Sequence, residues 1–94
     1  MTSPYKEVQA EDFSKITIDT LPHQEIERAI IHIGGGGVTG MQYKNQVLTK
    51  AGWSTDGLRG YASKPELAAE VFNRIRGVLE QTDNKDEIIN RIEA

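Results

Sequence analysis

The pattern of apolar and polar positions begins with an alternating stretch that predicts a strand. Residues 15–20 alternate between the two classes, with the β-branched Ile16 and Ile18 as the apolar members. Alternation of this kind is typical of a half-buried strand. Leu21-Pro22 ends it, because proline fixes φ and disfavours the helical region for the residue before it. We therefore predict a strand at about 15–20.

Residues 23–33 fit two different structures. The apolar residues at helical spacing are Ile26, Ala29, Ile30 and Ile33, and Pro22 suits the first turn of a helix. Against this, the stretch 28–33 is short, β-branched and bounded by glycine, which suits a buried strand. We favour a strand at about 28–33 with a turn before it.

Residues 41–50 are also ambiguous. Four residues alternate with polar ones, namely Met41, Tyr43, Val47 and Thr49. As a strand, the stretch would pair with 28–33 across a glycine hairpin loop, although Asn45 and Leu48 break the alternation. As a helix, it would place Met41, Leu48 and Ala51 on one face, with Gly52 as a left-handed C-terminal cap. We prefer the strand.

The clearest element is a helix over about 64–81. Ser63 and Glu66 have the spacing of a capping box, and Pro65 suits a first turn. An apolar stripe at helical spacing follows, formed by Leu67, Ala68, Val71, Phe72, Ile75, Val78 and Leu79. Residues 82–84 then break the helix.

A second, short helix is predicted at the C-terminal end, capped by Asp83 or Asn84. Ile88, Ile89 and Ile92 would share one of its faces. Three isoleucines on so short a helix suggest a dimer seam.

These elements predict an α+β fold, in which an antiparallel sheet of about three strands packs against one long helix, with a short C-terminal helix beside it. The 94 residues suffice for a single domain, since a second core could not be buried. Residues 1–12 are polar and expected to be mobile.

Composition adds the expected class of protein and its location. The hydrophobic fraction of 37% and charged fraction of 27% are those of a globular chain. There is no cysteine, which excludes disulfides, thiolate metal sites and a cysteine nucleophile. No apolar run reaches the length of a membrane span, so we expect a soluble, cytoplasmic protein without membrane contact.

Charge is distributed unevenly and points to the middle of the chain. Residues 34–64 contain four basic residues against one acidic residue, whereas both flanks are acidic. The same stretch contains eight of the nine glycines, the single tryptophan and two of the three tyrosines. Loops often carry binding residues, so we expect any site to lie here.

The glycine run in this segment fits the dinucleotide pattern G-x-G-x-x-G over residues 35–40. The chain is too short for a doubly wound sheet, and the acidic residue at the required distance, Asp56, lies in a glycine-rich loop. A weaker function remains, in which backbone amides form a nest for one phosphate or carboxylate. The alternative is a flexible hairpin loop with solvated lysines. The candidate ligand-binding residues are Gly34, Gly35, Gly36, Gly37, Thr39, Gly40, Lys44, Trp53, Arg59 and Tyr61.

Signatures of catalysis and of nucleic-acid binding are weak. His23 and His32 lack nearby carboxylates at metal-binding spacing, and no serine lies in a nucleophile elbow. An enzyme is therefore not favoured, and no catalytic residue, metal or cofactor is predicted. The net charge of −3 does not favour nucleic acid, whose phosphates attract basic surfaces.

The function that we predict is a small non-enzymatic binding or regulatory protein. It would act through contacts with a protein partner and as a homo-oligomer, in the manner of a phage or bacterial accessory factor. The alternative is a protein that binds an anionic small ligand, such as a nucleotide or phosphate, through residues 34–40 and the basic middle segment.

Overall fold

The computed structural model describes residues 4–54 and 60–93. The α-helices of these residues, in chain order, are α1 Pro22–Ile33, α2 Gly37–Lys50, α3 Pro65–Leu79 and α4 Lys85–Arg91. Short 3₁₀ helices occupy Ala10–Ser14 and Tyr61–Ser63. The described residues contain no strand. The predicted α+β fold with a three-stranded antiparallel sheet is therefore wrong.

Helix α1 replaces the strand predicted at 28–33. Its buried residues are His23, Ile26 and Ile30, which are three and four positions apart and so lie on one face. Pro22 is its first residue, where a missing N–H costs no hydrogen bond. Helical spacing thus outweighs β-branched composition in this stretch, and the helical alternative is confirmed.

Helix α2 replaces the strand predicted at 41–50. Its buried residues also follow helical spacing: Gly40, Tyr43, Val47 and Leu48. The helix ends in a Schellman motif, in which the Trp53 amide donates to the Leu48 carbonyl at 2.9 Å and the Gly52 amide to the Thr49 carbonyl at 3.1 Å. Gly52 has a φ of 111°, so the cap that the helical alternative predicts is confirmed.

Residues 15–20 are neither helix nor strand, and all of them are exposed. A strand is stable only when its backbone groups pair with a neighbouring strand. Because 28–33 and 41–50 are helical, no such neighbour exists among the described residues. The predicted strand at 15–20 is wrong for this reason.

The two C-terminal helices are confirmed close to their predicted bounds. Asn84 caps α4 through its side-chain oxygen, which accepts from the amides of Asp86 and Glu87 at 3.0 Å each. The capping box predicted for α3 is wrong, because the Ser63 hydroxyl donates to the Gly60 carbonyl at 2.7 Å. Lys64 takes the N-cap position without a side-chain bond.

The N-terminal stretch is attached to α3 by side chains of that helix. Asn73 bonds both backbone groups of Val8, accepting from its amide at 2.8 Å and donating to its carbonyl at 2.9 Å. Arg76 donates to the Tyr5 carbonyl at 2.8 Å. Residues that the sequence predicts to be mobile therefore include some with specific contacts, and these contacts hold the Ala10–Ser14 helix against α3.

The buried apolar side chains form one cluster with members from all four α-helices. Phe72 and Ile75 of α3 pack there with Ile26 of α1, and each of the three is 0% exposed. Ile88 and Ile92, from the predicted dimer seam, are 0% and 3% exposed. Ile89, the third member, is partly buried and packs against the same core. The three isoleucines therefore contribute to the chain's own core and do not form an exposed seam.

Candidate functional site

The glycine run forms the turn between α1 and α2. The Gly36 amide donates to the Ile31 carbonyl at 2.9 Å and the Gly35 amide to the His32 carbonyl at 3.1 Å, which is the Schellman arrangement again. Gly35, Gly36 and Gly37 have φ values of 110°, 72° and 55°. Three consecutive left-handed residues are accessible at low cost only to glycine. The run is therefore explained by reversal of the chain.

Two further glycines allow α1 and α2 to approach closely. A Cβ atom on Gly40 would lie 2.4 Å from the Ile31 carbonyl oxygen, and one on Gly34 would lie 2.6 Å from the Tyr43 Cβ. Neither position has room for a side chain. These glycines serve helix packing, which the sequence signals only as an unexplained concentration of glycine.

The start of α2 is the part of the turn that remains open. It has no side-chain cap, and a Cβ on Gly36 or Gly37 would meet no atom within 4 Å. Thr39 is exposed in the first turn. Free first-turn amides are common to helix starts, so they do not by themselves distinguish an anion site from a solvated turn. Capture of a nucleotide or phosphate here stays a prediction.

Lys44 and Tyr61 lie together, on Glu27 of α1. Lys44 Nζ is 3.4 Å from Glu27 Oε2, and the Tyr61 hydroxyl donates to the same oxygen at 3.1 Å. The lysine and glutamate side chains are only 13% and 19% exposed. Burial first, and then the negative charge of Glu27, raise the pKa of Tyr61 far above its usual value. The phenol therefore stays a hydrogen-bond donor, and the three residues join α1, α2 and the Tyr61–Ser63 helix.

Of the two remaining predicted site residues, only Trp53 lies in the described part of the chain, and it is buried. Trp53 is 2% exposed, and its ring lies 5.3 Å from that of Tyr61. Arg59 lies outside the described residues. Lys85, which sequence reasoning misses, lies near the turn with Nζ 3.4 Å from the Gly34 carbonyl. The ten predicted residues thus include two separate groups, the glycine turn and the cluster around Glu27.

His23 is the buried polar residue that sequence reasoning undervalues. It is 8% exposed, and its ring lies 4.5 Å from Phe13 and 5.8 Å from Phe72. Its Nδ1 atom is buried without a hydrogen-bond partner among the described residues. Burial lowers the pKa of His23, although the carboxylates of Glu27 and Asp12 act in the opposite direction. A helical interpretation of 22–33 places His23 on the core face beside Ile26. The burial of His23 could therefore have been predicted from the sequence.

Replacing His23 with phenylalanine is expected to stabilise the protein by about 1 kcal/mol at neutral pH, because a buried nitrogen without a partner is removed. It should also reduce the loss of stability in mild acid. The folded pKa of wild-type His23 lies below 6.5, so as the pH falls through 6.5 the unfolded chain gains a proton first. The wild-type free energy of unfolding then declines until the folded imidazole is protonated too.

Urea unfolding at about pH 7 and about pH 5 measures both effects. His32, exposed near the end of α1, provides the matched control through His32→Gln, which removes an imidazole from the surface and leaves the buried imidazole of His23 in place. If His23→Phe and the wild type lose the same free energy between the two pH values, the role assigned to His23 is wrong.

The largest exposed apolar side chains of the described residues lie on residues 15–20, here called the exposed segment. Ile16 and Ile18 are each 103% exposed, which means that no part of either side chain is covered. Val38 at 76% and Met41 at 45% follow, both on α2. The exposed segment therefore presents two β-branched side chains that contribute nothing to the chain's own core.

The exposed segment is anchored at its start and unpaired beyond it. Lys15 Nζ is 3.1 Å from Asp12 Oδ1, and the Gln9 amide donates to Asp12 Oδ2 at 2.8 Å. Burial acts to raise the pKa of Asp12, but these partners outweigh it and the pKa lies below its usual value. After Lys15, the next bond is from the Asp19 amide to the Thr17 hydroxyl at 3.2 Å. The amides of Ile16 and Ile18 make no hydrogen bond within the described residues.

A cleft of about 190 Å³ opens next to the start of the exposed segment. It lies where the Ala10–Ser14 helix, the Tyr61–Ser63 helix and the start of α3 meet. Its apolar lining consists of Ala10, Phe13, Ala62 and Pro65. Glu11 and Glu66 are the charged residues at its wall, and Ser14, which also lines it, is two residues before Ile16. We call it the apolar cleft.

Comparison with known proteins gives no name or activity to this geometry, since no family model, curated protein or solved structure matches the chain. In residues 4–54 and 60–93, no group of three His, Asp or Glu side chains is arranged to hold a metal ion. None of the helices in that part of the chain is long and apolar enough to span a membrane.

Proposed function

We propose that the chain is a small non-enzymatic binding protein that acts through protein–protein contacts, and that the exposed segment is its contact element. The observation that carries this proposal is the complete exposure of Ile16 and Ile18, at 103% each. The cytoplasm is the compartment that we propose for this contact, since a chain without cysteine gains nothing from an oxidising environment.

The energetics support a contact role for these two side chains. Burying an isoleucine stabilises by about 1.5–3 kcal/mol, and a domain of this kind is stable by only about 5–15 kcal/mol in total. Leaving two isoleucines outside the core therefore forgoes a substantial part of the available stability. The same free energy is released when a partner covers them.

The backbone of the exposed segment supports the same proposal. The unbonded amides of Ile16 and Ile18 can donate to carbonyl groups of another chain. Backbone bonds of this type supply affinity when an extended segment is bound, and alternate side chains supply specificity. Residues 15–20 have that alternation.

Three polar side chains that could otherwise take part in catalysis support a binding role instead, because structural hydrogen bonds occupy them. Glu27 accepts from Lys44 and Tyr61. The Ser14 hydroxyl donates to the Glu11 carbonyl at 2.9 Å, and that of Ser63 to the Gly60 carbonyl. None of these groups is paired as a nucleophile with a base.

Replacing both isoleucines with serine is expected to abolish the contact while leaving the fold intact. The tagged full chain, the I16S/I18S variant and the V38S/M41S variant are used to capture proteins from the native host, and bound proteins are quantified by mass spectrometry. Partners of the wild type should fall by at least about tenfold with I16S/I18S, since that corresponds to only about 1.4 kcal/mol.

The V38S/M41S variant is the matched control, because it removes two exposed apolar side chains from α2 instead. It should retain the partners, and both variants should keep the wild-type melting temperature. Capture of the same proteins at the same amounts by the wild type and I16S/I18S would reject the exposed segment as the contact element.

A further inference from the structure

We propose that the partner of the exposed segment is a second copy of this chain, with Ile16 of each copy inserted into the apolar cleft of the other. This inference rests on the function proposed above and names the partner. The apolar cleft is the observation that leads to it, because it is a receptor for a small aliphatic side chain on the same surface as two uncovered isoleucines.

The size and lining of the apolar cleft fit a branched aliphatic side chain. Its volume is about 190 Å³, and an apolar cavity of about 150 Å³ already admits a molecule of benzene. Ala10, Phe13, Ala62 and Pro65 supply the apolar walls. The chain's own Ile16 does not fill it, because that side chain is fully exposed.

The positions of the two parts suit a two-fold dimer. Ser14 lines the cleft, and Ile16 follows two residues later, so the two lie within about 7 Å along the chain. In a two-fold interface the same patch meets itself, so each projecting residue needs a matching cavity close by on its own surface. Each copy has a cleft with an exposed isoleucine beside it, so a two-fold dimer would contain two identical insertions of isoleucine into a cleft.

Charge also favours this occupant. Glu11 and Glu66 stand at the wall of the cleft, and no basic residue lines it. Lys15 directly precedes Ile16, and its side chain is 53% exposed despite the contact with Asp12. Insertion of Ile16 brings the partner's Lys15 towards these two carboxylates. This attraction would reduce, at the interface, the repulsion between two copies of an acidic chain.

The expected dimer is of modest affinity. The apolar contact consists of only four isoleucines, Ile16 and Ile18 from each copy, and the gain from burying them is opposed by the loss of translational and rotational freedom on association. We expect a dissociation constant in roughly the micromolar to sub-millimolar range. The fraction of dimer should therefore change with protein concentration over a range that can be measured.

Sedimentation velocity and light scattering of the purified full chain, from about 1 to about 500 µM, test the dimer. The wild type and V38S/M41S should rise towards twice the monomer mass of 10.5 kDa, whereas I16S/I18S should remain monomeric. Ala62→Trp, which fills the cleft from an exposed position, should also remain monomeric and keep its melting temperature.

Cysteine crosslinking tests the seating of Ile16, since the chain has no cysteine of its own. Separately purified Ile16→Cys and Ala62→Cys, distinguished by tag length, are mixed under mild oxidation, and Ile16→Cys is mixed with Val38→Cys as the control. The I16C–A62C disulfide should form at least about tenfold faster than the control.

Each result decides the proposal. A wild type that stays monomeric over the whole range overturns it, as does a dimer that I16S/I18S retains, or equal crosslinking to residues 62 and 38. These failures differ from failure of the proposed function. If the wild type is monomeric but still captures a different protein through Ile16 and Ile18, the contact element stands and only the second copy is wrong.

Discussion

The Gly40→Ala variant is expected to lose about 3 kcal/mol of folding free energy, which is the upper part of the usual range for overpacking. The new Cβ atom would lie 2.4 Å from the Ile31 carbonyl oxygen and 2.8 Å from the Ile31 Cγ2 atom. The nearest of these atoms belongs to the backbone of α1, so it cannot rotate away, and the two helices must separate. Separation loosens the packing of α1 against α2 within the core. The melting temperature should fall by roughly 15 °C.

Gly77→Ala is the matched control for this prediction. Gly77 also lies inside a helix, α3, but a Cβ there would meet no atom within 4 Å. Alanine at such a position is expected to stabilise by about 0.5–1 kcal/mol, because glycine is the poorer helix former. Thermal and urea unfolding of the two variants should therefore shift in opposite directions. Equal small shifts would mean that α1 and α2 do not depend on close contact at Gly40.

The Glu27→Ala variant is expected to lose about 2–3 kcal/mol, because it leaves two partly buried donors without their acceptor. Lys44, 13% exposed, would keep its charge without a partner, and the Tyr61 hydroxyl would lose its bond of 3.1 Å. Removing the lysine as well, in Glu27→Ala/Lys44→Met, should recover part of the loss, since the uncompensated charge is then absent. Urea unfolding of the single and double variants measures both effects.

Glu70→Ala provides the comparison, since Glu70 pairs with Arg74 across one turn of α3 at 3.3 Å but is 62% exposed. Solvent screens such a pair, and its loss should cost no more than about 1 kcal/mol. A Glu27→Ala variant as stable as Glu70→Ala would show that the Glu27 cluster contributes little. If the double variant is no more stable than Glu27→Ala, the unpaired charge of Lys44 is not the cause of the lost folding free energy.

The C-terminal half of the fold could be predicted from the sequence because local signals there agree. The apolar stripe of α3 runs through Ala68, Phe72 and Ile75 at helical spacing, and these residues are buried. Asn84 has the residue type and position of an N-cap, and it caps α4. Two predicted roles differ. The Ser63 hydroxyl is used within the turn at Gly60, and Ile88 and Ile92 belong to the core instead of a dimer seam.

The N-terminal half was predicted wrongly because two periodicities overlap there. In α1 the β-branched isoleucines resemble a strand, and in α2 a short alternation does so too. The buried faces decide between the two, since Val47 and Leu48 are adjacent and both 0% exposed. Adjacent residues point to opposite faces of a strand but can share the buried face of a helix. Leu48, which broke the alternation, was therefore the informative residue.

The candidate site shows the same division between local and tertiary information. The glycine content marked residues 34–40 as a candidate site, but only the packed chain shows that a Cβ on Gly40 would meet the Ile31 carbonyl of α1. Neither His23 nor Glu27 entered the predicted site, because their roles depend on neighbours distant in sequence. Tyr61, for example, meets Glu27 across 34 positions.

The sequence by itself determined the helices α3 and α4 and limited the cap of α4 to Asp83 or Asn84, because each of these features depends on residues within a few positions of one another. The tertiary structure alone decided that 28–33 and 41–50 are helical, that Ile88 and Ile92 belong to the core, and that Ile16 and Ile18 do not. The reason is physical. An apolar residue is buried only if another element covers it, and which element does so is a property of the whole packed chain.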